Sequence, residues 1–136
     1  GDVMIVEPGD TIRVKGLQVE AVPAYNVNKF RSPGVPYHAR EAGHVGFVVT
    51  SEGQRIYHAG DTDHIPEMAA LKAIDIALLP VSGIYVMTAE EAAQAAAVIR
   101  PGIAIPMHLG RGIGSPDSAR VFKDRASARV EILEME

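Results

Sequence analysis

Two nearly continuous apolar stretches constrain the fold most, because a strand that is apolar at consecutive positions needs cover on both faces. They are residues 74–80, Ile-Asp-Ile-Ala-Leu-Leu-Pro, and residues 102–107, Gly-Ile-Ala-Ile-Pro-Met. Between them, residues 88–100 open with the capping box Thr88-Ala-Glu-Glu91 and end before Pro101, which predicts a helix. A strand–helix–strand unit of this kind predicts parallel strands and an α/β (α+β) fold.

The other segments predict a sheet that begins with hairpins. One hairpin is predicted from residues 11–14 and 17–22, and a second from residues 45–50 and 54–57. Single strands are predicted over residues 3–6 and 130–133, and two more helices over residues 67–72 and 116–123. Residues 23–43 have no regular pattern and predict a long loop. Neither a repeat nor a linker divides the chain, so we expect one domain over residues 1–136.

Three helices cannot cover both faces of such a sheet. Right-handed crossovers place successive helices on one side, so the sequence predicts a mixed sheet with helices on one face. Monomeric proteins rarely expose apolar patches beyond a few hundred Å². We therefore expect partners: a homodimer through the sheet face, or a missing N-terminal half.

Polar residues follow two of the predicted strands. Residues 55–57 lead into a turn at Gly60, and the loop after it carries Asp61, Asp63 and His64. The strand of residues 102–107 ends in His108. Carboxylate and imidazole groups suit zinc, manganese or iron. Alternatively, Asp61 and Asp63 bond their own backbone in a turn after Gly60.

Composition limits the chemistry of such a site. The chain of 136 residues has no cysteine, so metal ligands would be histidines and carboxylates. A net charge of −4 argues against nucleic acid as a partner. There is no apolar run near the ~20 residues that span a bilayer, and no signal-peptide pattern, so we expect a cytoplasmic protein without membrane contact.

Three motifs in order carry a family resemblance. They are His-Ala-Gly-Asp-Thr-Asp at residues 58–63, Asp-Ile-Ala-Leu-Leu-Pro at residues 75–80, and Ala-Ile-Pro-Met-His at residues 104–108. In this combination the chain resembles the C-terminal half of a metallo-β-lactamase-fold hydrolase, of the UlaG-like branch of metal-dependent hydrolases. The resemblance covers nearly the whole chain. It implies half of an αββα sandwich.

The resemblance also implies a site and a reaction. Asp61 would bridge two metal ions, and His108 would bind the second of these ions. Zinc is the metal expected first, with manganese or iron as alternatives. Metal-activated water would attack an ester, lactone or phosphodiester in a small-molecule substrate. His64 and Asp63 could add to the ligands, although Asp63 could equally orient His108 or an amide from behind.

Two features of that family are missing from the sequence. The His-x-His-x-Asp-His ligand loop is absent, and the segment of residues 22–26 ends in Asn26 where the family usually has a ligand histidine. We interpret Asn26 and Tyr25 as residues that support the ligands.

The remaining histidines are assigned structural positions. We interpret His58 as a residue that points back into the sheet, and His38 and His44 as surface residues.

Three readings follow. The first is a hydrolase whose missing ligands come from another chain, another segment or a second copy. The second is a folded half-domain with weak or no catalysis, acting as a dimeric structural or metal-binding module. The third is a small ligand-binding protein that holds an anion at residues 82–83 or 110–114, and it is the weakest because neither stretch matches a phosphate-binding fingerprint.

Overall fold

The computed structural model describes residues 3–110 and 112–134. Within them, six strands form one mixed sheet in the order β1-β2-β5-β6-β7-β8. Strands β1, β2, β5 and β6 pair antiparallel in that order, whereas β6, β7 and β8 run parallel. These six strands are β1 (Thr11–Val14), β2 (Leu17–Pro23), β5 (Val45–Ser51), β6 (Gln54–His58), β7 (Ile76–Pro80) and β8 (Ile103–Met107).

Two α-helices pack on one face of the sheet. The first, α1 (Ala89–Ile99), lies between β7 and β8 in the chain, and α2 (Pro116–Arg125) follows β8. The helix α1 begins with the predicted capping box, in which Thr88 and Glu91 each bond the other's backbone amide. Its buried face is mostly alanine, and such small side chains let a helix lie close to a sheet.

The strand register separates a covered face from an open one. One cross-strand row, Val48–Tyr57–Ala77–Ala104, is almost fully buried and belongs to the hydrophobic core beneath the helices. The adjacent row, Phe47–His58–Leu78–Ile105, faces the opposite side and is half-buried or exposed. We call this second side the open face. The prediction of a mixed sheet with helices on one face is therefore confirmed.

Sequence patterns were less accurate away from the central strands. Residues 67–72 contain the 3-10 helix Pro66–Ala70 instead of an α-helix. Residues 3–6 are not a strand, and of residues 130–133 only Val130 pairs, through a single parallel bridge to Ala104. The long loop of residues 23–43 includes a small hairpin of β3 (Phe30–Ser32) and β4 (Val35–Pro36). Each error concerns a short segment, in which too few consecutive residues carry a periodic pattern.

Within residues 3–110 and 112–134, neither α-helix has the length and hydropathy needed to cross a membrane.

Gly46 allows the backbone of β5 to lie close to the backbone at the end of β6. A Cβ atom at this position would lie 2.6 Å from the carbonyl oxygen of Ala59 and 2.7 Å from that of His58. Both contacts are with backbone, which cannot move aside without shifting the strand end.

We predict that Gly46→Ala lowers the free energy of unfolding by about 3 kcal/mol, because overpacking against fixed atoms is costly. Chemical denaturation measures the effect. Gly53→Ala is the control, since its Cβ would meet no atom within 4 Å and it carries only the strain of a positive φ, about 1 kcal/mol. An equal loss in both variants would contradict the steric explanation.

Candidate metal centre

Four strands that run in the same direction deliver polar residues to one edge of the sheet. The strands β2, β6, β7 and β8 all end at this edge. The chain beyond them carries Asn26, Asp61, Ser82 and His108, respectively. Because the carboxyl ends of parallel strands share an edge, loops that are distant in sequence meet there.

Asp61 lies between two imidazole rings. Its Oδ1 atom is 3.6 Å from Nε2 of His108, and its Oδ2 atom is 3.5 Å from Nε2 of His38. The Asp61 side chain is 52% exposed, while the side chains of His38 and His108 are 19% and 21% exposed. Each carboxylate oxygen therefore faces a different histidine, and the carboxylate remains open to solvent.

Both histidines are held from behind through Nδ1. The Asn26 Oδ1 atom lies 3.0 Å from Nδ1 of His38 and also accepts the backbone N–H of His38 at 2.7 Å. The Ser82 hydroxyl lies 2.9 Å from Nδ1 of His108. Partners of this kind fix the ring orientation and leave Nε2 available as a ligand.

His38 corrects the sequence interpretation, which placed it on the surface. The residue is half-buried beside Asp61, although it comes from the irregular loop between β2 and β5. Asn26, which holds His38, lies 12 residues earlier in the same irregular loop, so no periodic pattern in the sequence signals their contact. His44 is exposed as predicted, with its ring edge-on to that of His38 at a centroid distance of 5.5 Å.

Asp63 lies close in sequence to Asp61 but serves a different part of the structure. Its side chain is buried, and Oδ2 accepts the backbone N–H groups of Val27 and Asn28 at 2.8 and 3.0 Å. It therefore bonds neighbouring amides, one of the three roles considered for it, which were a metal ligand, a partner of His108 and a partner of an amide. His64 is half-buried, and the ion pairs of Asp61 involve His38 and His108 instead.

Tyr25 supports the site through the backbone. Its N–H and C=O both bond the Thr62 hydroxyl, which fixes residue 25 beside the Asp61 loop. Its phenol donates to Glu67 at 2.9 Å. Burial and this bond to a carboxylate raise the pKa of the Tyr25 phenol above its ordinary value.

His58 does not point back into the sheet interior as expected. It is exposed on the open face, and its Nδ1 accepts the N–H of Gly60 at 3.2 Å. This bond lies in the turn that leads to Asp61.

His108 adopts a backbone conformation that is uncommon for a residue other than glycine. Its φ angle is +63°, in the left-handed region. The loop that follows packs tightly around it, since a Cβ on Gly114 would lie 2.8 Å from Cβ of Ser82 and 3.0 Å from the His108 carbonyl oxygen. Strained residues of this kind cluster at functional sites. Arg111, within the loop considered for an anion, lies outside the described residues.

The donor set fits a bridging carboxylate with one imidazole on either side. Each side of Asp61 then offers two protein donors, one carboxylate oxygen and one Nε2 atom. Within the described residues, no three His, Cys, Asp or Glu side chains are placed to hold a single metal ion. Catalytic zinc usually takes three protein ligands, so further ligands are needed on both sides.

The fold and the site together define a class: half of an α/β sandwich with a histidine–aspartate centre at the strand ends. A family model described as a beta-lactamase superfamily domain matches residues 1–108. The chain therefore belongs to the metallo-β-lactamase superfamily, as its motifs suggested.

Known relatives agree with this assignment. A UPF0173 metal-dependent hydrolase of Thermoplasma acidophilum is 42% identical over 107 residues, which are 76% of this chain and 44% of the relative. A crystal structure of a protein assigned as a metal-dependent hydrolase from Parabacteroides distasonis is 40% identical, with a TM-score of 0.78 over 97% of this chain and 58% of that one. The metallo hydrolase Igni18 of Ignicoccus hospitalis is 27% identical, with a TM-score of 0.71 over 96% of this chain and 57% of that one. The chain spans about half the length of the relatives it matches.

We predict that Asn26→Ala lowers the free energy of unfolding by about 1–3 kcal/mol, because it leaves buried polar groups unpaired. The Asn26 amide bonds both His38 and the carbonyl oxygen of Tyr85. Asn28→Ala is the control, since Asn28 is exposed and water can replace the bond that its amide donates to Glu91. Chemical denaturation that ranks Asn28→Ala as the more damaging change would contradict this role.

Proposed function

We propose that this chain contributes the bridging half of the metal centre of a metal-dependent hydrolase. The observation that carries the proposal is the geometry of Asp61, whose two oxygens face Nε2 of His38 and Nε2 of His108. A carboxylate can bridge two cations, and each imidazole can bind one of them through its free nitrogen.

The residues of this chain would divide the work between them. Asp61, His38 and His108 would hold divalent cations, with zinc expected first and manganese or iron as alternatives. Asn26 and Ser82 would keep the two rings in the tautomer that presents Nε2. When bound, the cations supply Lewis acidity that lowers the pKa of water and polarises a carbonyl or phosphoryl oxygen. The proposed substrates are small molecules with an ester, lactone or phosphodiester group.

The incomplete donor set favours a second function for this stretch taken alone. With two donors on each side of Asp61, residues 1–136 would bind metal weakly and hydrolyse little or nothing. They would then act as a structural or metal-binding module, paired through the open face with a second copy or with the segment that the longer relatives possess. Absence of hydrolysis of a generic phosphodiester or lactone despite metal binding would favour this function over the enzyme.

The metal proposal is tested by calorimetric titration with zinc and then manganese. Asp61→Ala should abolish binding, since Asp61 is common to both sides. His38→Ala and His108→Ala should each weaken it by at least about tenfold, because even partners of the ligands have effects of this size.

His64→Ala distinguishes the ligand set seen in the structure from the one that the sequence suggested. It should leave the affinity unchanged if His38 is the ligand. A loss with His64→Ala and none with His38→Ala would overturn the arrangement proposed here. Equal affinity in all variants would show that the site does not bind metal.

We also predict that residues 1–136 do not persist as a well-packed monomer. The rows Phe47–His58–Leu78–Ile105 and Val49–Ile56–Ile76–Ile103 leave apolar side chains half-buried on the open face. Sedimentation at low micromolar concentration should show a dimer. A monomer that binds an apolar dye would favour a separate complementing segment.

A matched pair of charge substitutions locates the interface. Leu78→Lys on the open face should dissociate the dimer. Val98→Lys should not, because Val98 belongs to α1 on the helical side and is already 39% exposed. A monomer without dye binding, or equal effects of both substitutions, would refute an interface on the open face.

A further inference from the structure

A buried charge cluster lies behind the candidate metal centre without contacting Asp61. It consists of Asp63, Lys29 and Glu91. The Nζ atom of Lys29 is 3.3 Å from Oδ1 of Asp63 and 2.7 Å from Oε2 of Glu91. The Lys29 side chain is 11% exposed and that of Asp63 is 1% exposed, so this pairing is largely removed from water.

Asp63 depends on Lys29 for one of its two oxygens. Its Oδ2 atom accepts two backbone amides, but Oδ1 is buried without a hydrogen-bond partner among the described residues. A buried carboxylate needs an opposite charge, and removing one member of a buried pair is more damaging than the pair is stabilising. Lys29 is the ammonium that lies closest to this oxygen in the described ion pairs.

Glu91 connects the cluster to helix α1. Burial raises the pKa of the Glu91 carboxyl, but bonds from Lys29, the Thr88 amide and Asn28 outweigh that effect and hold the pKa below its ordinary value of 4.5. The stabilisation from the pairing with Lys29 is therefore fully present above pH 4.5 and is lost as the pH falls through the lowered pKa of Glu91. Near neutral pH, Lys29 is held by a rigid helix start.

The segment that this cluster holds leads directly to His38. Asp63 bonds the amides of residues 27 and 28, and the residue before them, Asn26, bonds both Nδ1 and the backbone of His38. The Asp63 amide also donates to the Tyr25 carbonyl at 2.9 Å. Residues 25–28 are thus fixed on both sides of Asn26.

From this geometry we infer that Lys29 is a positioning residue, which orients His38 towards Asp61 through Asp63 and Asn26. Its ammonium neutralises Asp63 and ties residues 26–28 to α1. His108 is held separately by Ser82, so the two halves of the centre have independent supports. The inference rests on the proposed metal function, because the orientation of His38 matters only if Nε2 is a ligand.

The test compares Lys29→Met with Lys72→Met, which removes an exposed ammonium that bonds the nearby Ala69 carbonyl. Imidazole resonances are followed by NMR without metal, and zinc affinity is then measured by calorimetry. Lys29→Met should shift the His38 resonances, leave those of His108 unchanged and weaken zinc binding by about tenfold or more. Lys29→Arg should keep the wild-type His38 resonances and the wild-type zinc affinity. Lys72→Met should change neither the resonances nor the affinity.

Several outcomes would overturn the inference. Equal shifts of the His38 and His108 resonances would show a general structural effect. Unchanged His38 resonances would show that Lys29 does not orient His38. If Lys29→Met does not fold, Asp63→Asn replaces it, because asparagine keeps an oxygen for the two amides while removing the charge, and the same outcomes apply. Since the NMR measurement contains no metal, its result stands even if the titration of Asp61→Ala shows that the metal proposal fails.

Discussion

The direction of four strands is the constraint on which the site depends. Because β2, β6, β7 and β8 end at the same edge, Asn26, Asp61, Ser82 and His108 are brought together from positions spread over 83 residues of chain. The strands themselves are fixed by the buried row beneath α1 and α2, where small side chains on the helix allow close packing. The core thus sets where these four residues leave the sheet, whereas the position of His38 beside Asp61 depends on bonds between loops.

This dependence explains which parts of the site could be predicted from the sequence. Asp61 and His108 each follow a predicted strand almost directly, so the pattern that predicted the strands also placed both residues at strand ends. His38 lies in an irregular loop, and its position depends on Asn26, Thr62 and Asp63, which are distant in sequence. Hydrogen bonds between loops leave no periodicity, and this is why His38 was assigned to the surface.

In the fold, too, segments with a periodic or capped pattern were predicted correctly and short segments without one were not. The strands β7 and β8 and helix α1 were predicted because long apolar or capped segments carry their own signal. Residues 67–72 were assigned to an α-helix, but Leu71 is extended and Ala73 has a positive φ, so only a short 3-10 helix forms and it ends at Ala70. Residues 3–6 are apolar but pair with no strand in the described part of the chain, and apolar character without a partner does not make a strand.

The uncovered open face and the candidate metal centre, with its two donors on each side of Asp61, meet at the same edge of the sheet. The open face ends at the strand edge where Asp61 and His108 lie, since His58 and Leu78 of the exposed row are close in the chain to Asp61 and Ser82. A layer that covered this face would bury apolar side chains and also reach the centre, which has two donors on each side of Asp61. Burial would supply the free energy, and residues at the end of that layer could supply the remaining ligands. Assembly and metal binding would then stabilise each other, because a cation bound between the two layers favours the assembled state by mass action.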